Sequence, residues 1–265
     1  MKEKKIYVEN CGIIENTRIA EDIYLLAFTS NNISKEALCG QFVNIKIPGD
    51  NSLILRRPIS IYDTKDGSVS VIYSVVGKGT KIMAELKQGD FVEVLGPLGQ
   101  GFKINPDKEA LIVGGGCGIP PLYFLAKELK KKDIKMSIFL GFSSKEKIIL
   151  IDELNSLTKS IHFSTDDGSV GNKGNVIELL KEKKASGYIY SCGPHGLLIA
   201  LQKYANDNKL LGQASLEERM GCGFGVCLGC AFKTKGGEFK YVCKDGPVFD
   251  LSDIAFDVKA KTSCG

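Results

Sequence analysis

The amino-acid sequence predicts a β plus α/β chain: an antiparallel β-barrel, a doubly wound parallel sheet, and a small module built around cysteines. Three observations predict this. Short β-type runs between turn residues fill the first hundred positions. Strands and helices alternate from about Glu109. After about Leu211 a Gly/Cys-rich tract replaces that alternation. The expected boundaries are 1–104, 105–212 and 213–265.

In chain order, the barrel strands are Ile6–Val8, Ile23–Phe28, Phe42–Ile47, Ser68–Val76 and Phe91–Val94. Gly12, Gly40, Pro48-Gly49, Asp66-Gly67 and Gly89-Asp90 punctuate them, and short strands at this spacing suggest a barrel. One helical stretch, Thr80–Lys87, interrupts them. Ala110–Val113 is a short buried strand that runs through Gly114–Gly118 into an amphipathic helix, Pro121–Lys131. Strands Lys135–Gly141, Ile161–Ser164 and Tyr188–Ser191 then alternate with helices near Asp152–Leu157, Asn175–Lys183 and Pro194–Asn206, the rhythm of a doubly wound sheet. Ala231–Lys233 and Phe239–Val242 read as a hairpin turned at Gly236-Gly237.

The 265 residues are 43% hydrophobic and 25% charged, so the chain can bury its cores without disulfides or a metal. A net charge of +4, with scattered lysines and no arginine-rich helix, argues against nucleic-acid binding. Met1–Lys5 carries charge but no apolar stretch of signal-peptide length. The longest uncharged run, Ala110–Ala126, is broken by four glycines and two prolines and is no membrane helix. The expectation is a soluble, cytoplasmic protein. Glycine, 30 residues in all, concentrates at 77–79, 96–101, 114–118 and 221–229, which suggests several bound groups.

Of nine cysteines, Cys11, Cys39, Cys117, Cys192 and Cys264 are scattered and read as small buried hydrophobes. The others form Cys222-x4-Cys227-x2-Cys230, with Cys243 twelve residues on. This is the plant-type 2Fe–2S order with a short last gap. Four thiolates must converge on a compact object, and Gly221, Gly223, Gly225 and Gly229 let backbone N–H groups face the sulfurs. Structural zinc and free or disulfide-bonded cysteines are the alternatives, although only Cys227 and Cys230 make a zinc-type pair.

Gly116-x-Gly118-x-x-Pro121 lies between a strand and a helix, where a pyrophosphate meets the helix N-terminus; a packing turn is the alternative. Ser191-Cys192-Gly193-Pro194 ends a second strand at the same sheet edge, and the two signals together are stronger than either. Arg56-Arg57-Pro58-Ile59-Ser60 puts two arginines in an apolar strand region. A guanidinium beside a hydroxyl suits a diphosphate, while a surface salt bridge is the favoured reading of Arg56. Ile72-Tyr73-Ser74 and Gly77-Lys-Gly79-Thr80 add an aromatic, with core packing as its alternative, and another glycine turn before a helix. His162 and His195 read as incidental. Glu217-Glu218 reads as surface, Asp166-Asp167-Gly168 as a turn or ribose contact, and Lys145 as solvated.

Together, Arg-Pro-Ile-Ser, Gly-x-Gly-x-x-Pro with Cys-Gly-Pro, and the C-terminal cysteines resemble the ferredoxin–NADP reductase superfamily. Within it, Glu217–Cys230 and Val242–Phe249 are similar to the electron-transfer subunits of type B, NAD-dependent dihydroorotate dehydrogenase. The resemblance covers essentially the whole chain. It implies that Arg57, Pro58, Ile59, Ser60, Ile72, Tyr73, Ser74, Gly79 and Thr80 contact FAD. Gly116, Gly118, Pro121, Cys192, Gly193 and Pro194 would shape the NAD site, and Cys222, Cys227, Cys230 and Cys243 would hold the 2Fe–2S cluster. It also implies a separate FMN-bearing catalytic subunit, two copies of each chain, in pyrimidine biosynthesis. Electrons would pass from FMN through the cluster and FAD to NAD+. Ile59 stands where the wider superfamily has an aromatic, which leaves flavin stacking there open. An NAD(P)H–ferredoxin oxidoreductase or hydrogenase-type diaphorase subunit is the competing function, and a zinc-stabilised interaction module the non-enzyme one.

Overall fold

A computed structural model describes residues 5–50 and 52–256; Met1–Lys4, Asn51 and 257–265, with Cys264, lie outside the described residues. The first part holds β1 (Tyr7–Ala20), β2 (Ile23–Thr29), α1 (Asn31–Glu36), β3 (Phe42–Ile45), β4 (Arg57–Lys65), β5 (Ser68–Ser74), α2 (Lys78–Glu85) and β6 (Phe91–Leu98). The strands close as an antiparallel barrel in the order β1-β2-β5-β4-β3-β6, with β1 paired back to β6. Leu26, Phe28, Val43, Ile45, Ile61, Val69, Val71, Val92 and Val94 fill it. The strand expected at Ile6–Val8 extends to Ala20, with register shifts near Ile13/Glu15 and Arg18/Ala20 that let one long strand serve both barrel neighbours. Helix α1 has only a local signal: the Ser30 hydroxyl accepts the Ile33 N–H at 3.2 Å.

The second part holds β7 (Ala110–Gly115), α3 (Ile119–Lys131), β8 (Met136–Phe142), α4 (Ile151–Asn155), β9 (Ile161–Thr165), β10 (Asn172–Lys173), α5 (Val176–Glu182), β11 (Tyr188–Cys192), α6 (His195–Asp207) and β12 (Gly212–Ser215). Successive side chains of β7 serve opposite faces. Ala110 and Ile112 pack with Leu122, Leu125 and Leu129 of α3, whereas Leu111 and Val113 pack with α5 and α6 through Leu180, Leu198 and Leu201. This alternation makes the sheet doubly wound.

The chain ends in β13 (Ala231–Lys233), β14 (Phe239–Tyr241) and β15 (Val248–Asp250). β13 and β14 form the expected hairpin, Ala231 opposite Tyr241. β15 returns to the large sheet, whose order is β10-β9-β8-β7-β11-β12-β15, and pairs antiparallel with β12. The cysteine-bearing segment is thus tied at both ends to the edge of the α/β sheet.

Barrel and sheet are joined by β4 and α3. The Tyr62 and Tyr123 rings stack at 4.7 Å, and Lys127 Nζ lies 2.6 and 2.7 Å from the two Asp63 carboxylate oxygens.

Candidate functional site: two nucleotide cradles and a cysteine loop

The barrel cradle centres on Arg57. At Gly79 a Cβ would stand 2.6 Å from the Arg57 Nε, so the missing side chain lets the guanidinium lie across the first turn of α2. The Thr80 hydroxyl accepts the N–H groups of Val76 and Gly77 (2.9 and 3.1 Å). The first-turn N–H groups of Lys78, Gly79 and Thr80 have no acceptor within the helix and present the positive end of its dipole. A guanidinium beside a helix N-terminus is an arrangement that can bind a diphosphate. Pro58 is exposed, and Ile59, Ser60 and Ser74 are half-buried.

Ile72 and Tyr73 are buried. The Tyr73 ring stacks on Tyr24, and its hydroxyl donates to Asn16 Oδ1 at 3.1 Å. Asn16 Nδ2 in turn donates to the carbonyls of Met83 and Leu86, both at 2.8 Å, which closes the C-terminal end of α2. Burial pushes the Tyr73 phenol up. Arg56 is ion-paired with Glu93.

The second cradle lies at the carboxyl edge of the parallel sheet. A side chain at Gly118 would overlap the Cys192 carbonyl and the Gly193 nitrogen, so the two glycine loops are in direct backbone contact. Gly116 differs: it takes φ +52 and a Cβ there would meet nothing within 4 Å. Gly118 therefore packs the fold, while Gly116 faces open space. Pro121 falls in the first turn of α3, and Pro194 caps α6. Cys117 is exposed, contrary to expectation, because it sits at the crest of this loop; its thiol donates toward both Glu217 carboxylate oxygens at 3.6 and 3.7 Å. Cys11, Cys39 and Cys192 are buried as expected, and burial pushes the Cys11 and Cys39 thiols up to about 12. Asp166–Ser169 is a turn: Gly168 takes φ +76 and Asp167 Oδ1 accepts the Ser169 N–H at 2.9 Å. Lys145 is exposed. His162 lies 4.7 Å from the Phe139 ring, and His195 meets Phe256 at 5.1 Å.

The cysteine loop brings its thiols together in two pairs. The N–H groups of Val226 and Cys227 donate to Cys222 Sγ (3.3 and 3.4 Å), and the Cys222 N–H donates to Cys227 Sγ (3.4 Å). Cys230 and Cys243 stand with sulfurs 3.3 Å apart, and the Cys243 N–H donates to Cys230 Sγ at 3.4 Å. Burial raises the Cys222 thiol, but the N–H groups of Cys227, Phe224 and Val226 outweigh it and bring it down to about 6. Burial, then the Cys230 thiol, push Cys243 up to about 12. Among the described residues no group of three or more Cys, His, Asp or Glu side chains is arranged to hold one metal ion. Two sulfur pairs with backbone N–H groups on the sulfurs fit a cluster of two irons, each taking two thiolates, better than a single zinc.

Three contacts were invisible in the sequence. Asn44 and Gln100 of the barrel side bond to the cysteine loop, by Asn44 Nδ2 to the Cys222 carbonyl (3.3 Å) and Gln100 Nε2 to the Lys244 carbonyl (3.2 Å). The Asp63–Lys127 pair is the third. Each joins positions 64 or more apart, beyond any local pattern.

A closed barrel with a guanidinium set over a helix N-terminus, a parallel sheet with a glycine loop at its carboxyl edge and a cysteine loop between them fit a ferredoxin-reductase-like flavin and nicotinamide oxidoreductase with an iron–sulfur centre. Family comparison agrees: an oxidoreductase FAD-binding domain matches residues 10–102, an oxidoreductase NAD-binding domain residues 112–203, and the iron–sulfur cluster binding domain of dihydroorotate dehydrogenase B residues 217–255. The chain is 41% identical to the electron transfer subunit of dihydroorotate dehydrogenase B (NAD(+)) from Fusobacterium nucleatum, covering 94% of this chain and 99% of that protein. It is 39% identical to the Geobacillus kaustophilus protein of the same name, covering 93% and 98%. A solved structure of NADH-dependent reduced ferredoxin–NADP oxidoreductase superposes with TM-score 0.83 at 31% identity, covering 93% of this chain and 90% of that one. The chain belongs to the family of dihydroorotate dehydrogenase B electron transfer subunits. It carries the FAD-, NAD- and iron–sulfur-binding domains of that family.

Proposed function

We propose that this chain receives electrons from a separate FMN-bearing subunit that oxidises dihydroorotate, and delivers them to NAD+ in pyrimidine biosynthesis. The observation that carries this is the direct seat of the cysteine loop on the flavin-type barrel, through Asn44 and Gln100. FAD joins one-electron carriers to a two-electron acceptor, so it belongs between an iron–sulfur cluster and NAD+.

The chain's own residues bind and orient. Arg57 and the N–H groups at the start of α2 hold the FAD diphosphate. Pro58, Ile59, Ser60, Ile72 and Ser74 line the strands beside it, and Tyr73 fixes α2 from behind through Asn16. Gly116 leaves room for the NAD diphosphate at the head of α3, while Gly118 and Pro121 set that loop against Cys192, Gly193 and Pro194. Cys222 with Cys227, and Cys230 with Cys243, hold the 2Fe–2S cluster, and the peptide N–H groups on their sulfurs favour the reduced, more negative state. No side-chain acid or base is required, because the proton and electron chemistry is the cofactors'.

Phe224, Val226 and Leu228 on the same loop are 48%, 71% and 52% exposed. An apolar face around the cysteines suits a docked catalytic subunit, and we take the assembly as two copies of each chain. No described helix is long and apolar enough to cross a membrane. We take the protein to be cytoplasmic, a compartment in which thiols that must stay reduced are kept so.

The likeness to NADH-dependent reduced ferredoxin–NADP oxidoreductase favours a second reading, in which the partner is a ferredoxin-type carrier. Co-expression with the FMN subunit decides. The proposal expects a complex that reduces NAD+ with dihydroorotate when neither chain alone does so. No complex, together with NADH-dependent reduction of ferredoxin by this chain, would support the second reading.

A further inference from the structure

We infer that Asn44 is a positioning residue that fixes the 2Fe–2S loop against the flavin-binding barrel, with Gln100 as a second hold on the same cradle; this rests on the site reading above. All four residues of β3 are buried, and three are apolar. Asn44 is 1% exposed, a position where an apolar side chain is the inexpensive choice. Its Nδ2 donates to the Cys222 carbonyl, 178 positions along the chain, at 3.3 Å, while its Oδ1 has no partner. A buried amide oxygen left without a partner is costly. The neighbouring loop residue is cut to fit it: Gly223 takes φ +81, and any side chain there would overlap the Asn44 amide nitrogen.

The placement links the two redox sites. In the β3–β4 ladder Asn44 stands opposite Pro58, inside the Arg57–Ser60 flavin segment. One strand pairing and one hydrogen bond therefore connect that segment to Cys222. Gln100 makes the matching hold: its Nε2 donates to the Lys244 carbonyl at 3.2 Å, and its backbone N–H donates to the Gly246 carbonyl. Lys244 directly follows Cys243. The barrel thus holds the loop at Cys222 and next to Cys243, one position in each thiol pair, and would set where the cluster sits relative to the flavin.

Electron transfer slows as donor and acceptor move apart, so loosening one of two holds is expected to slow transfer severalfold. The test uses the full chain, purified anaerobically, as Asn44→Ala, Asn44→Leu and Gln100→Ala. The inference expects wild-type FAD, iron and sulfide contents and wild-type NADH–ferricyanide activity, which needs only the flavin. It also expects cluster bleaching by NADH in stopped flow to be severalfold slower, with an altered EPR line shape of the reduced cluster. Asn44→Ala with Gln100→Ala should be slower than either alone. Wild-type bleaching and line shape in both Asn44 variants would overturn this inference alone. Loss of FAD and iron together in both would assign Asn44 to folding and overturn it equally. A wild-type chain without iron and sulfide would overturn the site reading and this inference with it.

Discussion

The loop after β7 and the loop at 221–230 are both rich in glycine, yet they use it for different ends. In the first, Gly118 is needed because the Cys192 backbone occupies the space of a side chain, and Gly114 lies close against the end of the Leu122 side chain. Only Gly116 opens onto free space. In the second, Gly223 and Gly225 take φ +81 and +90, Gly221 and Gly229 lie against Cys227 Sγ, and Leu228 takes φ +61 without being glycine. The first loop is mostly folded onto the protein itself. The second is bent around its own sulfurs, with backbone strain of the kind concentrated at functional sites. A glycine count cannot separate these cases; the neighbour of the missing Cβ can.

The comparison breaks most sharply at the cysteines. Cys230→Ser or Cys243→Ser should abolish iron and sulfide binding while FAD remains, measured by metal analysis and the flavin spectrum of the same sample. In the other loop, Gly118→Ala should lower stability to denaturant by about 3 kcal/mol through overpacking. Gly116→Ala should cost only about 1 kcal/mol for the left-handed backbone and should raise the KM for NADH. If the two substitutions cost the same, the division between packing and open glycine is wrong.

The contrast also explains what was legible in the sequence. The barrel, the α/β alternation and the cysteine spacing all follow local periodicity or fixed intervals, so they could be read directly. β15 is three residues, Val248–Asp250, with no periodicity of its own, and only its pairing with β12 makes it a strand. Cys117 read as a buried cysteine because composition favours that. Its thiol instead meets Glu217, a hundred positions away. Asn44 sits in an apolar run that gives no hint of the loop it holds. Tyr73 read as a flavin aromatic or a core residue, and its contacts with Tyr24 and Asn16 bear on that choice only in three dimensions.

Smaller effects sharpen the account further. Arg57→Ala should weaken FAD binding by about 1.5–3 kcal/mol, the worth of a hydrogen bond to a charged group, read by flavin retention on dilution. Arg57→Lys should restore only part of it. Asp63→Asn leaves Lys127 partly buried without its charge partner, and should cost about 1–2 kcal/mol of stability. The smallest effect is in pH. In cluster-free protein Cys222 ionises near 6, below the ordinary thiol value, so its alkylation should rise from about pH 5 to 7, while Cys243 stays protonated until about 12. Because the folded-state value of Cys222 is depressed, its stabilising contribution is complete above the ordinary thiol value near 9 and is lost as pH falls toward 6. Mass spectrometry of alkylated peptides checks the order of reaction.

The central claim is that the two thiol pairs hold a binuclear iron–sulfur cluster on a flavin-binding barrel. The most direct test is iron, acid-labile sulfide, zinc and flavin per chain on anaerobically purified protein, with EPR after reduction. The account predicts about two irons, two sulfides and one FAD per chain, and a signal from one unpaired electron per reduced cluster. One zinc per chain, with neither sulfide nor flavin, would contradict it.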